Sequence, residues 1–291
     1  MEAVEIACDE SGYEGERLVG TTTDVFAHAG VHLPDDVAVE CLRELRRRIR
    51  SPATEYKANH LLREKHRAVL VWLLGPSSPL FRNAHLFLID KVRYLLGRLG
   101  ALVLTEAGEL HHLVTGNRLL VAANDLLRGK ERQDVRGPVD AFFAVLGDGM
   151  GAAAARDRAL ALRLRMKEDP SLSVLDPLIP ALLRAVARWG GDGRPVTILH
   201  DRQTMLPAGR VAGLQRTLRE DGLTLQRVRL AAAESEPRVQ LANILAGTVR
   251  SIAQEELHGR GDPELTMLAG PYVDPSSIWG DRPSWTRRKP S

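Results

Sequence analysis

Short apolar runs alternate with longer amphipathic stretches along this chain, and their order predicts an α/β protein. Residues 4–8 are largely apolar and lead into Asp9-Glu10-Ser11-Gly12. A buried strand that delivers polar groups to the carboxyl edge of a sheet has this pattern, and open α/β folds place their sites at that edge. Neighbouring strand residues face opposite ways, so Asp9 and Glu10 cannot both enter one small site without a bulge. An ordinary Asp/Ser/Gly turn after a strand would look the same. After a connection with Gly12, Gly15 and Gly20, residues 24–32 read as a second strand, a hairpin partner for the first. Residues 84–89 and 195–199 are further strand-length apolar runs, ending in Asp90-Lys91 and His200-Asp201, and 223–230 alternates as a fifth strand.

Between these runs the helical period dominates. Pro34-Asp35-Asp36 opens a helix with Val37, Val39, Leu42 and Leu45 on its apolar side. It closes in Arg46, Arg47, Arg48 and Arg50, which suit the carboxyl end of the dipole and read either as a solvated last turn or as a phosphate-facing patch. Ser51-Pro52 breaks it, and a second helix runs to about residue 74, where Gly75-Pro76-Ser77-Ser78-Pro79 stops it. From 101 to 189 the pattern is helical, in segments at 119–127, 139–146, 152–166 and 178–189. Helices at 207–220 and 239–257 follow, the latter with Leu241, Ile244, Leu245 and Val249 in register. The predicted organisation is an α/β core over 1–100 and 190–270, a helical insertion over 101–189, and an irregular tail over 271–291 carrying Trp279, Trp285 and Arg287-Arg288-Lys289.

Composition narrows the function classes only a little. The 291 residues are 44% apolar and 26% charged, ordinary for a globular protein with a full core. Forty basic against 37 acidic residues give +3, too small a balance to argue for nucleic acid alone. Two cysteines, Cys8 and Cys41, exclude a disulfide framework and a cysteine-based zinc site. No apolar run reaches the roughly 18 residues of a membrane span, and the first residues lack the basic-then-apolar order of a leader, so a cytoplasmic protein without a membrane partner is expected.

Among the candidate residues, His111-His112 lacks the carboxylate spacing of a zinc helix, and the glycine-rich 147–151 lacks the lysine of a phosphate-binding loop and reads as an interhelical turn. The carboxylates at strand ends are more informative. Asp9 and Asp201 end two separate strands, Asp90-Lys91 is a further charged strand end, and Glu55 and Lys57 lie at the front of a helix. Carboxylates gathered at neighbouring sheet ends are what a hard divalent ion such as Mg²⁺ or Mn²⁺ needs, and two such ions about 4 Å apart can hold both oxygens of a phosphodiester exchange. His200 beside Asp201 either assists proton transfer or contacts a phosphate, or else hydrogen-bonds a neighbouring loop.

These segments together resemble the domain-of-unknown-function family DUF3800. The resemblance rests on Ile6–Gly12 as an opening strand with its Asp-Glu-Ser-Gly signature, Glu55-Tyr56-Lys57 as a Glu-x-Lys element, Ile198-Leu199-His200-Asp201 as a strand followed by aspartate, and the helix motif from Val239 to Gly247. It spans nearly 240 residues in order, and its first and last motifs are the specific ones. It implies a ribonuclease H-like mixed sheet with flanking helices and a helical insertion, and metal-dependent cleavage of DNA or RNA. Carried over by residue, Asp9 would be the central metal ligand, Asp201 the second and Glu55 a candidate third, with Lys57 neutralising a phosphate; Glu10 and Ser11 match the signature without a clear direct role. Asn243 departs from the pattern, which has aspartate there. Asparagine keeps a carbonyl oxygen but loses the charge. That leaves a weakened enzyme, compensation by Glu234, Glu236 or Asp262, or a binding or protein-interaction module that no longer cleaves. Gln240 lies three residues before Asn243 on one helical face and could share the site.

Overall fold

The computed structural model describes residues 2–50, 58–104, 117–147, 151–169, 171–203 and 206–279. The apolar runs become strands β1 (Val4–Ser11), β2 (Val25–Val31), β3 (Ala84–Asp90), β4 (Val196–Asp201) and β5 (Leu225–Ala231). They form one five-stranded mixed sheet in the order β3-β2-β1-β4-β5. β1 pairs antiparallel with β2, as the hairpin reading predicts, and parallel with β4, which pairs parallel with β5. The fold class is therefore α/β, with helices flanking the sheet.

The helices are α1 (Asp35–Ile49), α2 (Ala58–Leu61), α3 (Arg67–Leu74), α4 (Lys91–Leu99), α5 (Asn117–Leu127), α6 (Gly137–Leu146), α7 (Ala152–Glu168), α8 (Leu178–Gly190), α9 (Ala208–Glu220), α10 (Pro237–Leu257) and α11 (Pro263–Ala269). The helix expected to run to residue 74 is interrupted: α2 ends at Leu61, a 3-10 turn covers Glu64–His66, and α3 resumes at Arg67. The chain divides into two compact units, one of 1–13, 25–88 and 178–291, the other of 14–24 and 89–177.

In the first unit α10 organises one face of the sheet. Its 21 residues begin at Pro237, pre-set for a first helical position, behind Glu236, whose carboxylate accepts from the Arg238 N–H as the cap. Leu241, Ala242, Ile244, Leu245, Ala246, Val249, Ile252 and Ala253 are all buried, so the helix is covered on most of its circumference rather than along one stripe. They pack with Val25, Ala27, Ala29 and Val31 of β2, Leu86 and Leu88 of β3, and apolar residues of α1 and α3. Ala7 of β1 and Leu199 of β4 join Val239 on this same face. The opposite face holds Ile6, Cys8 and Gly30, and a Cβ at Gly30 would lie in ordinary van der Waals contact with the Trp189 indole of α8, 3.6 Å away.

The second unit is helical, built from α4 to α7 with residues 14–24 bound to them. Its buried cation, Arg163, donates to the carbonyls of Arg128, Glu131 and Asp134 at 2.7–2.9 Å. Asn124 accepts from the N–H groups of Leu18 and Val19 and donates to the Glu16 carbonyl, while the Lys91 ammonium donates to the hydroxyls of Thr21 and Thr23. The Asn124 bonds satisfy backbone groups of a connection that has no regular structure of its own. Among the described residues no helix is long and apolar enough to cross a membrane.

Candidate functional site

Strand alternation separates the two carboxylates at the end of β1. Asp9 lies on the α10 face with Ala7, whereas Glu10 lies on the face of Cys8, so the two carboxylates stand on opposite faces of the sheet, with no bulge between β1 and β2. The parallel register Cys8↔His200 brings the next residues, Asp9 and Asp201, level on neighbouring strands. Both are at the carboxyl edge, and both face the start of α10.

Asp9 is 4% exposed. Its Oδ1 accepts from the Glu10 N–H at 2.7 Å, and the Asn243 side chain hydrogen-bonds the carboxylate. Oδ2 is buried with no hydrogen-bond partner among the described residues. Burial, then the charge of Glu10, push the Asp9 carboxyl up to about 7; the bonds from Asn243 and the Glu10 backbone oppose this, and Asp201 adds a smaller upward push. Asp201 is half-buried, and its Oδ1 accepts from the Ala233 N–H at 3.1 Å, which ties it to the turn before α10. Ser11, two residues beyond Asp9 and on the same face, accepts from Arg250 Nε at 3.0 Å.

Asp9, Asp201 and Asn243 are thus assembled, and Ser11 and Gln240 stand on the same side of the sheet. Glu55 and Lys57 lie outside the described residues, as do the His111-His112 pair and the basic tail. Glu236 is engaged elsewhere: it caps α10 and pairs with Arg238 Nε at 3.1 Å. Asp262 caps α11 and pairs with Arg67. Glu234 is exposed on the turn before α10. Among the described residues no group of three or more His, Cys, Asp or Glu side chains forms a metal-binding set.

His200 belongs to the other face. Its Nδ1 lies 3.1 Å from the Asp201 carbonyl, which can only accept, so Nδ1 carries the proton and Nε2 offers its lone pair. His28 Nε2, 3.3 Å away, is then the donor to it. Both imidazoles are fully buried, which pushes their pKa values down; for His28 the neighbouring His200 and His85 act in the same direction, while for His200 the Asp201 carbonyl and the Asp9 and Asp201 carboxylates oppose it. Glu10 sits beside them, its Oε2 3.5 Å from His200 Nε2 and its Oε1 accepting from Gln203 at 2.6 Å. His28, Gln203 and Arg250 are the functional-region residues that sequence reasoning passed over. For His28 a signal existed: it is the one polar residue within the apolar run of β2.

Comparison with protein-family models, with curated proteins and with solved structures gives no match, so the site is interpreted from its own residues.

Proposed function

We propose that this chain is a divalent-metal-dependent nuclease of ribonuclease H-like fold, with Asp9 and Asp201 as its metal-binding carboxylates. The observation that carries the reading is their level placement on two parallel strands beneath one helix, with the Asp9 Oδ2 buried and unspent. A buried carboxylate oxygen without a hydrogen bond is costly unless a proton or a cation satisfies it. The donor set is oxygen-only, which suits Mg²⁺ or Mn²⁺ rather than a softer metal. The sheet order, with an antiparallel β1–β2 pair and parallel β4 and β5, supports the fold part of the reading.

Asp9 and Asp201 would hold the ion, which when bound would polarise the phosphodiester and lower the pKa of an attacking water. Asn243 orients the Asp9 carboxylate by its hydrogen bond, and burial under α10 keeps competing water from Asp9. Arg250, through Ser11, fixes the end of β1.

That same Asn243 bond favours a second reading, a degenerate nucleic-acid-binding module: an amide donating to Asp9 partly satisfies the carboxylate without any ion. The test is cleavage of labelled DNA and RNA, single- and double-stranded, with Mn²⁺ or Mg²⁺. Turnover is expected from the wild type and is lost in Asp9→Asn and Asp201→Asn, with Asn243→Asp more active than wild type. Turnover retained in both aspartate variants overturns the site; salt-sensitive binding without turnover in wild type and Asn243→Asp alike selects the second reading.

A further inference from the structure

The guanidinium of Arg250, half-buried on α10 beside the end of β1, has only neutral partners. Its Nε donates to Ser11 Oγ at 3.0 Å, Nη1 to Gln254 Oε1 at 2.9 Å and Nη2 to Ser251 Oγ at 2.8 Å. We infer that Arg250, Ser11 and Ser251 form a phosphate-binding subsite for the nucleic-acid strand, next along α10 from Asp9. The inference rests on the nuclease reading for the identity of the ligand, and on the cluster itself for the chemistry.

Three observations point to an oxyanion. The first is charge. A cation taken part-way out of water is costly without an opposite charge, yet no carboxylate is among the partners of Arg250. Burial alone acts on its pKa, downward, with no acidic neighbour to hold it up. Arg238, at the start of the same helix, shows the usual solution, being paired with Glu5, Asp35 and Glu236. The second is donor number. A guanidinium carries five N–H groups, so the three bonds leave one on each terminal nitrogen, in the fork that matches two phosphate oxygens. The third is the serines. Each hydroxyl accepts from Arg250 and so keeps its own hydrogen to give, and neither has another partner among the described residues. One positive charge with spare N–H and O–H donors is the chemistry of a phosphate site, and all three residues are part-exposed and so within reach of a ligand.

The helix places this cluster beside the candidate site. Asn243, Gly247, Arg250 and Gln254 are spaced by four, three and four residues and form one stripe along α10. The stripe follows the end of β1: Asn243 bonds Asp9, Gly247 faces Ser11, and Arg250 bonds Ser11. On a helix buried around most of its circumference, Asn243, Arg250, Ser251 and Gln254 are part-exposed. From Asp9 to Ser11 the chain advances about 7 Å along β1, roughly the rise of two nucleotides. A strand with one phosphodiester at Asp9 and Asp201 would thus bring a neighbouring phosphate to Arg250.

The experiment uses the full-length protein in EDTA, so that no outcome depends on turnover. Titration of ¹⁵N-labelled protein with inorganic phosphate at constant ionic strength should shift the backbone amides of Ser11 and of 247–254 saturably. Arg250→Gln should weaken that binding by about tenfold or more. Ser251→Ala removes one hydroxyl donor, leaves the arginine in place and should weaken binding by about fivefold. It decides the case alone if the amide spectrum shows that Arg250→Gln has not folded. For a non-cleaved oligonucleotide, the slope of log K against log salt should fall by about one in Arg250→Gln, and Ser251→Ala should lower the affinity by about fivefold again. Absence of saturable shifts, or phosphate binding of wild-type strength in the folded variants, overturns the subsite. Weakened phosphate binding with unchanged oligonucleotide slope and affinity overturns its assignment to a nucleic-acid strand in favour of a free phosphate. All the expected changes without any cleavage by the wild type support the subsite and count against the nuclease reading alone.

Discussion

Two buried aspartates of the first unit are pushed in opposite directions. At Asp274 burial pushes upward, but hydrogen bonds from His85 at 2.8 Å and from Ser276 more than offset it and hold the carboxyl well below the usual range. A depressed carboxyl contributes stability above its unfolded pKa of about 4, and that contribution is lost as pH falls through the folded value. At Asp9 the folded value stands at about 7, so the native state keeps a proton that the unfolded chain has released. Metal-free stability should therefore fall as pH rises from about 4 to about 7 and then level off, by a few kcal/mol at most. Asp9→Asn removes the ionisation, and melting in EDTA should show the variant losing the decline and exceeding the wild type at pH 8. A decline of equal size in the variant would sink this account. The result also guards the activity test, since a variant that is more stable cannot have lost turnover by unfolding.

At the scale of elements, period and punctuation made most of the fold legible. The strand that carries Asp9, its hairpin partner, the strand ending at Asp201 and the long helix α10 all lie within a few residues of their predicted bounds. What stayed hidden depends on contacts between distant segments. Nothing in the local pattern of β2 and β4 tells that His28 and His200 meet over β1, or that Gln240 borders a cavity with α1. The break at 62–66 is hidden in the sequence because Arg63-Glu64-Lys65-His66 keeps a helical composition. Gly247, in the motif near the middle of α10, now has a physical reason. A Cβ there would stand 2.6 Å from the Cβ of Ala58 on α2, so the bare backbone is what lets α10 approach α2; the Ser11 hydroxyl, at 3.7 Å, would be in ordinary contact. In an open helix Gly→Ala would stabilise by about 1 kcal/mol. Here overpacking decides the sign, and Gly247→Ala should destabilise by about 1–3 kcal/mol in urea unfolding. Ala58→Gly should restore part of the loss in the double variant. A Gly247→Ala protein more stable than wild type would mean that α2 yields, and the close approach would carry no weight.

At the scale of the whole sheet, the two outer strands are protected by different means. Outermost strands expose unpaired N–H and C=O groups and invite pairing with another chain. On β5 the exposed Arg227 and Arg229 place charge along the edge, and the Gln215 amide of α9 donates to the carbonyls of Leu225 and Gln226. On β3 the protection is backbone: Val273 bridges Leu86 in parallel, Asp274 N–H donates to the Leu86 carbonyl at 2.7 Å, Ile278 N–H to the Leu88 carbonyl at 2.9 Å, and the Leu88 N–H donates to Ser277 Oγ. The His85–Asp274 pair and the buried Trp279 hold this segment in place, so part of the tail expected to be irregular is committed to the sheet. A chain ending at Tyr272 should therefore melt several degrees lower, because the carbonyls of Leu86 and Leu88 and the His85 imidazole lose buried partners. It should also self-associate with rising concentration in sedimentation velocity, as an uncovered apolar edge strand is a template for strand addition. A chain ending at Trp279 keeps every one of these bonds and serves as the control. If the Tyr272 chain stays monomeric with the melting point of that control, the segment covers nothing that matters; if both fall together, the loss belongs to the residues after Trp279 and not to the edge.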